Sequence, residues 1–142
     1  MANRGAIVEP LVSGAALKGS AKAATFTTDG FSLNVNGARV GYYVDLTVTG
    51  TTPTLDIDFE ITMDGTDYGQ MHTATTAQTE ADMDQINTTG RYYNWFESGI
   101  PFGDDTGNYK VRVEHTIGGT NPSFTFNECK FFCWTPSPTQ QG

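Results

Sequence analysis

Apolar and polar residues alternate with period two along most of the chain between Thr25 and Trp134. Val40, Tyr42, Val44, Leu46 and Val48 are spaced by Gly41, Tyr43, Asp45, Thr47 and Thr49. After a Gly50-Thr51-Thr52-Pro53 break, Leu55, Ile57, Phe59, Ile61 and Met63 alternate with Asp56, Asp58, Glu60, Thr62 and Asp64. Successive side chains of a strand point to opposite faces, so each run predicts a strand with one oily and one polar face. Phe31, Leu33 and Val35 predict an earlier strand closed by an Asn36-Gly37 turn, and Asp64-Gly65 turns the chain back toward Tyr68. Near the end, Tyr109, Val111 and Val113 alternate with Lys110, Arg112 and Glu114. Phe124 and Phe126 then lead into a mixed run from Cys129 to Trp134, which Pro136 and Pro138 close.

Other stretches depart from this rhythm. Residues 1–24 are rich in Ala and Gly, with Pro10 early, and predict an extended arm lying along something such as a neighbouring subunit. In residues 73–90, Thr79 followed by Asp82 reads as a capping box, predicting either a short helix to about Ile86 or a long surface loop. Residues 91–102 hold Tyr92, Tyr93, Trp95, Phe96 and Phe102, and Asp104-Asp105-Thr106-Gly107 makes a further turn.

The sequence GTTPTLDIDFE at 50–60 echoes GTNPSFTFNEC at 119–129. Each copy reads as a strand, a Gly-Thr-x-Pro turn and a second strand, with proline fixing φ where no ladder is broken. Two such hairpins facing each other bury their oily faces as a sandwich. The expected fold is therefore all-β: a two-layer antiparallel β-sandwich, jelly-roll or Ig-like, over residues 25–135. An extended N-terminal arm (1–24) precedes it and a short tail (136–142) follows.

Composition agrees. The 142 residues suit one domain, and 22 Thr with 16 Gly favour pleated surfaces and turns over helices. A mean hydropathy of −0.35 and the lack of a long apolar run speak against a transmembrane helix and a membrane partner. Met1 is followed by no basic and apolar leader, so no secretory signal is expected. Net charge −8 argues against nucleic acid as a partner. The charge is uneven: residues 40–109 carry one basic residue against twelve acidic ones, while the first 39 residues carry four against two. An acidic body with a basic leading segment can dock head to tail or grip an acidic partner surface, although solubility alone is the simpler reading.

Candidate chemistry is sparse. Cys129 and Cys133 lie four apart on one strand face, roughly 13 Å by strand rise, too far for a disulfide, and read as reduced core thiols. With His72 and His115 they would formally complete a zinc set, but the strand spacing argues against one. Asp56, Asp58 and Glu60, with Asp64 and Asp67 beyond, could offer Ca²⁺ oxygens, yet they read more simply as a solvated face. Asn87-Thr88-Thr89 matches a glycosylation sequon, unused without secretion. No nucleophile elbow, zinc-protease helix, P-loop or dinucleotide fingerprint occurs, so neither catalysis nor a cofactor nor a metal is expected. The aromatic strip is the best candidate surface: Tyr92, Tyr93 and Trp95 could stack on sugars or anchor a protein interface, while Tyr92 and Phe96 could equally be core. With the arm, the candidate contact residues are Arg4, Ile7, Val8, Leu11, Val12, Tyr92, Tyr93 and Trp95.

Thr-Pro-Thr-Leu-Asp-Ile (52–57), Asp-Gly-Thr-Asp-Tyr (64–68) and the run from Tyr109 to Phe126 resemble small all-β virion proteins of tailed bacteriophages, of the decoration, cement or auxiliary head type. The resemblance spans roughly residues 38–128. It implies a structural protein without an active site that binds the major capsid protein on the outside of an expanded shell. It further implies a homo-oligomer, a trimer above all, made in the host bacterial cytoplasm. The rival expectations are a carbohydrate- or receptor-binding sandwich module and a tail or neck component.

Overall fold

The computed structural model describes residues 5–32, 39–70, 85–97 and 108–134. They form ten strands: β1 (Gly5–Val8), β2 (Leu11–Val12), β3 (Ala15–Ala16), β4 (Ala21–Lys22), β5 (Phe26–Thr27), β6 (Phe31–Ser32), β7 (Arg39–Thr62), β8 (Tyr68–Gln70), β9 (Gly90–Glu97) and β10 (Lys110–Trp134). No helix among the described residues is long and apolar enough to cross a membrane. The Asn36-Gly37 and Asp104–Gly107 turns lie outside the described residues, as does most of the segment weighed as helix or loop. Ile86, the approximate end of the helix alternative, is buried and bridges Leu55.

β7 and β10 run antiparallel from Lys110↔Thr62 to Trp134↔Arg39 and form the spine of the molecule. The two Gly-Thr-x-Pro segments, expected as hairpin turns, are instead a corner in this continuous pair. Gly50 (φ 120°) and Thr52 (φ 49°) are matched by Gly119 (φ 104°) and Asn121 (φ 48°). The match is reciprocal, as the local twofold of an antiparallel pair allows. A Cβ on Gly50 would lie 2.9 Å from Pro122 Cα, and one on Gly119 would lie 2.9 Å from Pro53 Cα. Each glycine thus accepts the other strand's proline, and both strands change direction together.

Beyond the corner the sheet folds onto itself as a two-layer antiparallel β-sandwich. The first layer holds residues 39–49 and 123–134 with β1, β4 and β9; the second holds 54–62 and 110–118 with β5, β6 and β8. Tyr42, Val44, Leu46 and Phe126 of the first layer are buried against Ile57, Phe59, Val113 and His115 of the second. Each buried aromatic contributes roughly 2–3 kcal/mol of apolar transfer. The expected alternation holds except near the ends of runs. Thr62, expected on the polar face, is fully buried, and Met63, expected on the oily face, is 50% exposed. A bulge between Phe126 and Glu128 flips parity, so Cys129, Phe131 and Cys133 are buried while Lys130 and Phe132 face outward.

The N-terminal segment is not a free arm. β1, β4, β5 and β6 pair in turn with β10 from Trp134 down to Val111 and Lys110, on the edge away from β7. A 25-residue strand with unpaired N–H and C=O groups needs such a cover, and the chain's own start supplies it. Between these short strands, threonine hydroxyls stand in for carbonyls. Val113 N donates to Thr28 Oγ1 (2.9 Å) and Ile117 N to Thr25 Oγ1 (3.1 Å). Ser13 (φ 51°) and Gly14 (φ 82°) make the two-residue turn between β2 and β3, and both backbone N–H groups donate to the Asp29 carboxylate at 2.8 Å. The Asp64-Gly65 turn forms as expected, with Thr66 N and Asp67 N donating to Asp64 Oδ1 at 2.8 Å. These bonds hold the Asp64 carboxyl down at about 2.

Candidate functional site

The outer face of the first layer is built by residues whose chain neighbours are buried. Val8, Tyr42, Val44, Phe131 and Cys133 point inward, so Ile7, Gly41, Tyr43 and Phe132 take the outer side, beside Tyr93 and Trp95 of β9. Register lines them up across four strands: Ile7↔Phe132↔Gly41↔Trp95 in one row and Lys130↔Tyr43↔Tyr93 in the next. A third row, Glu128↔Asp45↔Arg91, is charged. Lys18 reaches Glu128 at 3.2 Å and Arg91 reaches Asp45 at 3.4 Å, so the row ends in an ion pair on each side. Lys18 holds the Glu128 carboxyl below its ordinary range, first through the side-chain hydrogen bond.

Large apolar groups stay in solvent here: Ile7 is 64% exposed, Tyr93 50% and Trp95 45%. Scattered exposed apolar residues are ordinary, but a contiguous set is not. Gly41 is the floor of the set. The Tyr93 ring crosses over it and meets the Phe132 ring edge-on, with centroids 5.9 Å apart and planes at 68°. Partial burial raises the Tyr93 phenol above its ordinary value. The first row spans about 14 Å across four strands, and the second lies about 7 Å from it along them.

The expected contact residues therefore divide. Ile7, Tyr93 and Trp95 come together on this face. Val8, Val12 and Tyr92, expected as contacts, pack against the core instead, and the Tyr92 hydroxyl donates to Thr88 O at 2.6 Å. Leu11 is 40% exposed, but on the β2–β3 hairpin, where Leu11 O accepts from Asp29 N. Arg4 lies outside the described residues. Gly41, Tyr43, Lys130 and Phe132 were not among the expected set. Tyr43 shows as an aromatic residue in the polar phase of its strand, whereas Phe132 is hidden by the parity flip at the bulge.

Nothing else described is poised for chemistry. Burial drives His115 down to about 3, Lys22 adds to the drop and the Val113 backbone opposes it. Its ring stacks on Phe26 (4.2 Å, 10°), and its Nε2 shares a 2.8 Å hydrogen bond with the buried Tyr42 hydroxyl. Burial pushes both Cys129 and Cys133 up to about 12, far from a reactive thiolate. Among the described residues no group of three or more His, Cys, Asp or Glu is placed to hold a metal ion.

No family model matches the chain, and no curated protein matches it. Among solved structures it is similar to TmCBM61, determined in complex with β-1,4-galactotriose. Identity is 11%, over 94% of this chain and 83% of that one, and the TM-score of 0.38 is too low for the likeness to bear on this chain's function.

Proposed function

We propose that the chain is a non-catalytic docking module of a tailed-bacteriophage particle, of the decoration or cement type, acting through the outer face of its first layer. The single observation that carries a docking role is the set of exposed Ile7, Trp95 and Tyr93 around the half-buried Phe132, bordered by the Lys18–Glu128 and Arg91–Asp45 pairs. An aromatic centre with a charged rim is the anatomy of a protein interface, in which Trp and Tyr anchors carry most of the energy. The phage particle as partner is supported by the strand-and-turn resemblance over residues 38–128. With residues 5–32 used on β10, the contacts assigned to an arm move to this face. The major capsid protein is then the partner, on the virion exterior, and the module acts as a homo-oligomer, in the first instance a trimer.

The test is co-sedimentation with purified expanded phage shells. Saturable binding at a fixed ratio to the capsid subunit is expected, weakened at least tenfold by Tyr93→Ala/Trp95→Ala with an unchanged circular dichroism spectrum. A folded wild-type protein that leaves intact shells bare overturns the reading. A second reading, glycan recognition, is favoured by one feature. Tyr93 and Trp95 stand two residues apart on one strand, half exposed, as rings on which the C–H face of a pyranose can stack. In that case the double variant loses retention on a glycan array and shell binding is absent throughout.

A further inference from the structure

We infer that Gly41 is the positioning residue of the aromatic face: its missing side chain is what lets Tyr93 lie across β7 onto Phe132. The inference rests on the docking role proposed above and adds the residue that shapes the surface. Gly41 sits near the start of β7, flanked by β9 on one side and β10 on the other, where glycine weakens a strand and contributes no packing. Its backbone does not call for glycine, because it is not among the described residues with positive φ. What it provides is space. A Cβ there would stand 2.9 Å from Tyr93 Oη, 3.2 Å from Tyr93 Cε1 and 3.3 Å from Asn94 O. The shortest of these contacts is to the far end of a side chain that can swing away, so a larger residue would displace the ring before it disturbed the sheet. With the ring over Gly41, Tyr93 and Phe132 join Trp95 and Ile7 in one continuous apolar surface. With the ring displaced, the surface splits at β7. Its partner is then one that presents a broad, low-relief surface and needs the whole set at once.

The contact distances suggest the experiment. In Gly41→Ala, the nuclear Overhauser contacts between the Tyr93 and Phe132 rings should disappear while backbone amide shifts remote from the face stay in place. Co-sedimentation with expanded shells should weaken about tenfold. Adding Tyr93→Phe removes the hydroxyl responsible for the 2.9 Å contact, leaving the ring at 3.2 Å and Asn94 O at 3.3 Å, approaches that a shift of a few tenths of an ångström relieves. The double variant should recover the ring contact and most of the shell binding. A purely structural role for Gly41 would not be rescued at Tyr93. Retention of the ring contact in Gly41→Ala, or failure of Tyr93→Phe to restore it, overturns the inference. If the wild-type protein ignores shells, the docking reading falls, and the ring contacts alone still decide whether Gly41 seats Tyr93.

Discussion

The two outer faces of the sandwich are made by the same pair of strands and could hardly be less alike. On the first layer β7 and β10 present Gly41, Tyr43, Lys130 and Phe132 beside the exposed rings of β9. On the second layer, past the corner, they present Asp56, Asp58, Glu60, Arg112 and Glu114. There Glu60 accepts from Arg112 Nε at 2.6 Å, and the Arg112 guanidinium lies 3.9 Å from the centre of the Tyr68 ring. Like charges on neighbouring strands cost a little stability, but they keep a sheet face wet and single. The acidic face keeps its charges in water, whereas the aromatic face keeps apolar area there, and it is the face to which docking is assigned above.

If one corner creates both faces, breaking it should damage both. Gly119→Val places a branched side chain at φ 104° against the Thr52–Pro53 backbone. From left-handed strain together with overpacking, a loss of about 4 kcal/mol is expected in denaturant unfolding. A loss below about 1 kcal/mol would mean that the layers do not depend on this interlock.

The seam between the layers offers the next largest effect. His115 is buried and neutral with its pKa lowered to about 3, so the unfolded chain binds the extra proton first as pH falls. The stability contributed by keeping it neutral is whole above about pH 6.5 and declines toward the folded value near 3. The slope is about 1.4 kcal/mol per pH unit, or about 3 kcal/mol by pH 4.5. Unfolding at pH 7 and 4.5 should show this loss, and His115→Gln should flatten the slope. An unchanged slope would place the acid sensitivity in the carboxylates.

Tyr93→Ala/Trp95→Ala sharpens the contrast from the other side. Both side chains are half exposed, so the pair should shift unfolding by no more than about 1 kcal/mol while the binding described above is lost. A large loss of stability would make the aromatic face structural. The smallest effect belongs to the acidic face. Glu60→Gln weakens a partly exposed ion pair and should cost about 0.5–1 kcal/mol, less at high salt, with no change in shell or glycan binding. Any change in binding would show that the second face also makes contact.

Much of this was written in the residue pattern. The alternations at 40–48, 55–61 and 111–113 marked the buried sides of β7 and β10, because a strand displays its two faces with period two whatever surrounds it. The Asp64-Gly65 turn and the burial of both cysteines were legible for the same local reason, and so was the repeated Gly-Thr-x-Pro signature. What that signature does was not. A glycine-proline break reads alike in a hairpin and in a corner, and only the reciprocal fit of Gly50 on Pro122 and Gly119 on Pro53 shows that the strands continue through it. The fate of residues 5–32 was equally a matter of tertiary structure. Two-residue strands and threonine hydroxyls carry no periodicity, and they take form only where β10 offers an open edge. The candidate face followed the same division. Sequence determined that Tyr93 and Trp95 share one side of β9. That Phe132 and Gly41 join them, while Tyr92 turns inward, depended on strand order, register and one bulge, which arise only when distant segments pair.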